Sequence, residues 1–243
     1  MAIVHGINAV MEALRAGSKR VERVCVQRDQ RNPRVQEIVT LSREAHVPVS
    51  FEERGWLDRK AEGARHQGVL CYVSETPTID PEDIIEQARQ PGLILLLDGI
   101  EDPHNLGAII RSAEVAGANG LFLPQRRSAG LGGSVARASA GAAAHLMIAR
   151  VPNTVRAIEL LKENGYWVAG LDETSGRRLW EADFTVSTAL VLGGEGSGLH
   201  RLVKERCDFL LSIPVKGRIS SHNVSVAAGI ALYEVQRQRA ATE

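Results

Sequence analysis

Leu93–Ala113 reads LILLLDGIEDPHNLGAIIRSA, and the fold class turns on it. Leu93–Asp98 is a continuous apolar run closed by one acid, the pattern of a strand covered on both faces. A polar turn follows. From about Asn105 to Ala116 apolar residues recur at helical spacing, and Gly117 provides a C-terminal stop. The same design returns twice, in Ala189–Leu199 (ALVLGGEGSGL) and in Leu210–Leu232 (LLSIPVKGRISSHNVSVAAGIAL). Between and around them Gly120–Pro124, His145–Arg150, Tyr166–Leu171 and Asp208–Ile213 read as strands. Ser134–Ala144, Asn153–Asn164 and Asn223–Gln238 read as helices. Alternating strands and helices predict an α/β domain, 93–243, with a mainly parallel sheet covered on both sides.

Upstream, 1–74 reads as a smaller α/β unit. Val21–Gln27 alternates like a half-buried strand, Arg34–Ala45 has helical spacing, and Val47–Phe51 and Gly68–Val73 are strand candidates. Residues 75–92 form a connector rich in proline and acid. Asp80-Pro81-Glu82-Asp83 within it has the chemistry of a helix start. The first 73 residues carry 12 Lys/Arg against 9 Asp/Glu, while the whole chain is neutral. That excess is compatible with an RNA partner, but taken alone it favours a solvated surface.

Three scattered cysteines without a C-x-x-C pair point away from structural zinc and disulfides, and toward a reducing cytoplasm. No apolar run approaches the roughly 20 residues that span a bilayer, so no membrane role is expected. With aromatics at 4% of residues, a ladder of stacking rings is not the expected mode of nucleic-acid binding.

In parallel α/β sheets ligands bind beyond the carboxyl ends of strands, so three polar turns on one edge can build one site. Gly193, Gly194, Gly196 and Gly198 around Glu195 either let a ligand reach bare backbone or simply make a tight turn. A dinucleotide fingerprint would follow the first strand of its unit, with an acid about 20 residues on; neither condition holds. A phosphate loop ending in G-K-[ST] is absent. Asn105 and Arg111 are a helix cap and a surface cation, or two groups meeting a ligand at the helix start. His104 is a general base by type only. Ser220, Ser221 and Asn223 have ordinary N-cap chemistry before a helix with a small apolar face.

Together, DPHNLGAIIRSA, GGEGSGL and SIPVKGRISSHNVSVAAGIAL resemble the three motifs of the SpoU/TrmH family of RNA ribose 2′-O-methyltransferases, which are SPOUT-class enzymes. The resemblance covers 93–238. HGINAVMEAL and HQGVLCYV in the front unit resemble the ribosomal-protein-like (L30e-like) RNA-binding domain of the RlmB subgroup, which methylates a guanosine in the P loop of 23S rRNA.

The resemblance implies a deep trefoil knot, which general topology rules disfavour, and an S-adenosyl-L-methionine site with no metal. It implies that Leu192, Gly193, Gly194, Ile213 and His222 line the cofactor pocket. Asn105, Arg111, Glu195, Ser221 and Asn223 fall on its catalytic positions. His222 departs from the Leu usual there, and because that position contributes backbone, cofactor binding is expected to survive. The implied partners are 23S rRNA or a precursor ribosomal particle, and a second copy in a homodimer. An arginine with a pKa above about 12 is a poor proton acceptor, so Arg111 is either a strongly perturbed base or a phosphate and hydroxyl positioner. Alternatives are a tRNA or other-site rRNA methyltransferase and a non-catalytic RNA-binding protein. A Rossmann enzyme is disfavoured by the glycine placement.

Overall fold

The computed structural model describes residues 2–17, 21–74 and 77–241. Glu75 and Thr76, where the expected connector begins, lie outside them. The chain forms two compact units. One comprises Met1–Thr76 with Gly130–Ala144, the other Pro77–Ala129 with His145–Glu243. The segment 130–144, expected inside the second domain, therefore groups with the first unit.

The first unit runs β1 (Ala2–His5), α1 (Ile7–Gly17), β2 (Val21–Gln27), α2 (Pro33–Glu44), β3 (Val49–Glu52), α3 (Arg54–Lys60) and β4 (Val69–Val73). Its four-stranded sheet has the order β1-β4-β2-β3. β4 pairs antiparallel with β1 and β2, whereas β2 and β3 are parallel. Ile7, Val10, Met11 and Leu14 are buried along one side of α1 and share a core with Val35, Ile38 and Val39 of α2. On the opposite sheet face Leu57 of α3 packs with Cys25 and Leu70.

In the second unit α4 (Pro81–Glu86) precedes β5 (Leu93–Asp98), α5 (Pro103–Val115) and β6 (Gly120–Pro124). The chain then makes α6 (Gly133–Ala138), which packs in the first unit, where a Cβ on Gly133 would stand 2.2 Å from Val4 Cγ2. It returns as β7 (Met147–Val151), α7 (Thr154–Glu163), β8 (Trp167–Leu171), β9 (Thr188–Gly193), α8 (Arg201–Arg206), β10 (Phe209–Leu211) and α9 (Val224–Ala240). The six-stranded sheet has the order β10-β8-β9-β5-β6-β7, and every pairing in it is parallel. β5 is buried at all six positions. From β5 the chain moves outward to β6 and β7, then crosses to β8, so strand order reverses between β5 and β9. This is the switch point at which α/β sheets bind ligands.

Several expectations change. The cap of α5 is Asp102, whose carboxylate accepts the backbone N–H of His104 at 2.9 Å. Asn105 is instead inside the first turn, which frees its amide for other partners. The single helix expected over Ser134–Ala144 breaks, because Ala140 and Gly141 adopt positive φ (49° and 88°), conformations no α-helix accommodates; a short 3-10 turn, Ala142–Ala144, follows. β1, α1, α3 and α8 have no counterpart among the elements that periodicity predicts. No helix among the described residues is long and apolar enough to cross a membrane.

Candidate active site

Three turns converge beyond the carboxyl ends of β5 and β9. Asp98 and Gly193 are register partners at the ends of those strands. The β9 turn is tight for internal reasons. A Cβ on Gly193 would stand 2.2 Å from the carbonyl carbon of Gly198, and one on Gly194 would stand 2.2 Å from Gly99 O. Gly196 and Gly198 take positive φ (78° and 61°), which side chains resist. The glycines at 193 and 194 thus let two backbones approach, and the turn they permit carries Glu195 outward.

Glu195 Oε1 accepts from Asn105 Nδ2, and it also accepts from Asn223 Nδ2 at 3.3 Å. Asn223 Nδ2 donates to Asn105 Oδ1 at 3.0 Å, closing a triangle of one acid and two amides drawn from all three turns. Each member is held from behind. Asn105 Nδ2 reaches Asp102 Oδ2 at 3.2 Å. Asn223 caps α9, its Oδ1 accepting the Ser225 N–H at 2.9 Å and the Ser225 hydroxyl at 2.6 Å. One side chain therefore serves both as helix cap and as network member.

The triangle borders two hollows. One, of about 370 Å³, is lined by Leu192, Gly193, Gly194, Glu195, Ile213, Ser221, His222 and Asn223 among others, a size within the usual small-ligand range of about 300–1,000 Å³. All five residues expected to line a cofactor pocket line this hollow. The other, of about 360 Å³, is lined by Gly99 to Asp102, Asn105, Glu195, Ser197 and Val224. Glu195, Ser197 and Val224 line both.

Residues not anticipated also line the first hollow. The turn after β8 contributes Asp172 and Thr174, and α8 contributes Lys204. Asp172, only 5% exposed in its side chain, pairs with Lys204 Nζ at 2.6 Å and accepts the Thr174 N–H and hydroxyl at 2.9 and 2.7 Å. Burial pushes its carboxyl up, but the hydrogen bonds from Lys204 and Thr174 outweigh burial and hold it below the ordinary carboxylate range. The signal was available: Asp172 follows a buried strand directly, where parallel sheets put their ligands.

Arg111 is not brought to this cluster. It lies six residues beyond Asn105 on α5, roughly 9 Å along the axis. Its side chain is exposed, lines neither hollow, and has no hydrogen bond or ion pair among the described residues. His104 is exposed and its ring has no bonded partner among the described residues.

Comparison with known proteins identifies the family. The model of the SpoU rRNA Methylase family matches residues 92–233, and that of the RNA 2′-O ribose methyltransferase substrate-binding domain matches residues 3–78. A 23S rRNA (guanosine-2′-O-)-methyltransferase RlmB of Pseudomonas aeruginosa is 39% identical over 99% of this chain and 98% of its own length. That of Pseudomonas putida is 38% identical over 97% of this chain and 96% of its own. The crystal structure of the SpoU methyltransferase AviRb from Streptomyces viridochromogenes in complex with the cofactor AdoMet superposes with a TM-score of 0.74, at 27% identity, covering 98% of this chain and 90% of that one. With both family models matching in chain order, and with relatives alike over almost the whole length, this chain belongs to the SpoU rRNA methylase family.

Proposed function

We propose that this protein transfers a methyl group from S-adenosylmethionine to the 2′-hydroxyl of a guanosine in 23S rRNA, in the P loop of the peptidyl-transferase centre. The carrying observation is the Glu195–Asn105–Asn223 triangle on the border of two hollows. One hollow has the size and mixed lining for S-adenosylmethionine, and the other is open to an incoming ribose. The names of the RlmB relatives support the substrate, and the AdoMet complex of AviRb supports the cofactor.

The residues present fit that cofactor. Leu192, Ile213 and Leu199 offer an apolar wall, and the backbone from Gly193 to Ser197 offers hydrogen-bonding groups. A Cβ on Gly196 would meet nothing within 4 Å, so the turn faces open space there. His222 lines the hollow from an exposed position, which is in keeping with a backbone role. When bound, S-adenosylmethionine supplies a methyl already activated on a sulfonium, so the protein's task is alignment and removal of one proton. Glu195, Asn105 and Asn223 orient the ribose, with Ser221 beside them on the first hollow. The 2′-hydroxyl would give up its proton to solvent at the open second hollow as its oxygen takes the methyl carbon and the sulfonium's carbon–sulfur bond breaks, leaving the neutral thioether. Arg111 serves this step by holding phosphate and polarising the hydroxyl, once RNA or a second chain orders its side chain.

The surface of α9 supports a homodimer. Val226, Ile230 and Tyr233 recur along one exposed face, Tyr233 at 71%, an apolar stripe of the kind that marks protein contacts. On α5 Arg111 shares a face with Val115, itself 77% exposed. The first unit is the RNA-docking part, and the methyltransferase part carries the family's trefoil knot. The test is to map 2′-O-methyl groups in 23S rRNA from a strain lacking the protein. Loss at one P-loop guanosine, restored by the wild-type chain, is the expected result; an unchanged map refutes the assignment. Light scattering is expected to give a dimer at micromolar concentration.

A further inference from the structure

Next to Gly99 and Ile100 of the second hollow, whose own lining carries Glu101, Asp102 and Glu195, stands a basic turn that the methyl-transfer chemistry leaves unused. The turn Gln125–Ala129 after β6 carries Arg126 and Arg127, both exposed, and no acid. The turn is nevertheless firmly built. Half-buried Arg150 of β7 donates to Pro124 O at 3.1 Å, to Ala129 O at 2.9 Å and to Ser128 Oγ. Ala129 N–H bonds Ile100 O at 2.8 Å, and Gln125 N–H bonds Val151 O at 2.9 Å. Arg127 itself takes φ 54°, a left-handed conformation uncommon outside glycine. Among the described residues no carboxylate bonds Arg126 or Arg127. Surface arginines that merely solvate a loop need no such scaffold.

Arg127 Nη1 lies 3.5 Å from His200 Nε2. His200 is fixed by the opposite side of its ring. Buried Asp98 accepts the His200 backbone N–H at 2.9 Å and ring Nδ1 at 2.8 Å through Oδ2, and the Thr154 hydroxyl at 2.8 Å through Oδ1. Both carboxylate oxygens act as acceptors, so Nδ1 carries hydrogen and Nε2 faces outward, on a side chain 43% exposed. Two nitrogen groups from separate segments thus converge on one point of the surface. That point adjoins the second hollow. The His200 ring is the nearest group to a Cβ on Gly99, at 3.6 Å, and the arginine turn is hydrogen-bonded to Ile100. Gly99 and Ile100 both line that hollow.

We propose that Arg127 and His200, with Arg126 beside them, bind a phosphodiester of the RNA strand whose ribose enters the second hollow. The inference rests on the methyltransferase reading and adds to it the strand's anchoring point. A phosphate oxygen placed beside the two groups accepts from the Arg127 guanidinium, and the His200 ring, held by Asp98 at Nδ1, presents Nε2 to the same phosphate. Such charge-assisted bonds to phosphate fix register without reading sequence. Asp98 and Arg150 are positioning residues here: one aims the imidazole, the other holds the arginine turn.

The test uses the full-length protein, tritiated S-adenosylmethionine and a 23S rRNA transcript, at several salt concentrations. Arg127→Ala is expected to raise the KM for the transcript roughly five- to tenfold, a typical effect of one lost charged contact. It is also expected to reduce the slope of log KM against log salt by about one, with the dissociation constant for S-adenosylmethionine unmoved. Arg127→Lys is expected to recover most of the loss, since phosphate also accepts a point charge. His200→Ser keeps an N-cap residue before α8 and the backbone bond to Asp98, so the protein stays folded; its KM for RNA is expected to rise like that of Arg127→Ala. A wild type that methylates the transcript, together with variants whose KM and salt slope equal its own, overturns the anchoring point alone. So does a fall in kcat at unchanged KM. A wild type that neither binds S-adenosylmethionine nor methylates the transcript overturns the enzyme reading, and the anchoring point with it.

Discussion

The two ends of α5 are built on opposite terms. At its first turn Asn105 is buried and bonded to Asp102, Glu195 and Asn223. Two turns further on, Arg111 is exposed and has no bonded partner among the described residues. The first end is organised by the fold of one chain. The second, among the described residues, is a cation left to solvent. A group that acts only when substrate or a second chain orders it costs the folded monomer nothing when removed, whereas a member of a closed network is coupled to stability. The contrast teaches that exposure alone does not grade a residue's importance.

The sharpest break of that contrast is at Arg111. Arg111→Ala is expected to lower turnover about 10²–10³-fold, the range seen for loss of one transition-state donor, with melting temperature and S-adenosylmethionine affinity nearly unchanged. Arg111→Lys is expected to fail too, because an ammonium does not reproduce a planar fork of donors. Steady-state kinetics beside calorimetry checks both. An active Ala variant, or one that has lost cofactor affinity or structure, would erase the distinction between the two ends.

On the structured side, Gly194→Ala drives a Cβ to 2.2 Å from Gly99 O, a backbone atom with little room to yield. The expected cost is about 3 kcal/mol, read as a lower denaturation midpoint in urea. A variant as stable as wild type would mean the β9 turn is softer than its geometry implies.

Asn105→Ala opens the triangle and leaves Asn223 and Glu195 each with a partner lost. About 2 kcal/mol of stability is expected to go with it, together with turnover. That pairing of losses is the counterpart of Arg111, where turnover alone falls. If Asn105→Ala leaves stability intact, the triangle is not a structural unit.

The smallest effect belongs to Asp172. Its folded carboxyl lies below the ordinary range, so it contributes stability at neutral pH that is lost as pH falls through the folded value. Asp172→Asn is expected to cost about 1 kcal/mol at pH 7, and the gap from wild type is expected to close in acid, below about pH 4. Urea titrations at pH 7 and pH 3 measure it. A gap that persists or widens in acid would contradict the assigned direction.

Much of the second unit was legible because its strands are buried on both faces. A run such as Leu93–Leu97 has no soluble alternative, and the turns after it had to be polar. β1 and α8 were hidden by their brevity, four and six residues. α1 carries a helical stripe in Ile7, Val10, Met11 and Leu14, and all four are buried. Of the ten residues expected at the site, nine line or bond around the two hollows, and Arg111 stands apart. The reason is physical: nine sit at a strand end, in the turn after one or in the first helical turn beyond it, while Arg111 lies further along a helix surface.

Local chemistry alone therefore determined the alternation of strands and helices, the three polar turns and the glycines those turns require. Which turns meet was decided by strand order. Placing β9 beside β5 brings Gly193 to Asp98 across 95 positions of sequence, and no local propensity encodes that adjacency. The cap of α5 was settled in the same way. Asp102 and Asn105 both have capping side chains, and the structure assigns the cap to Asp102 because Asn105 is engaged by Glu195 and Asn223 from the other two turns. Composition and periodicity report on burial, which is a local quantity. Which amide answers which carboxylate depends on packing between segments distant in the chain, and only the folded molecule sets that.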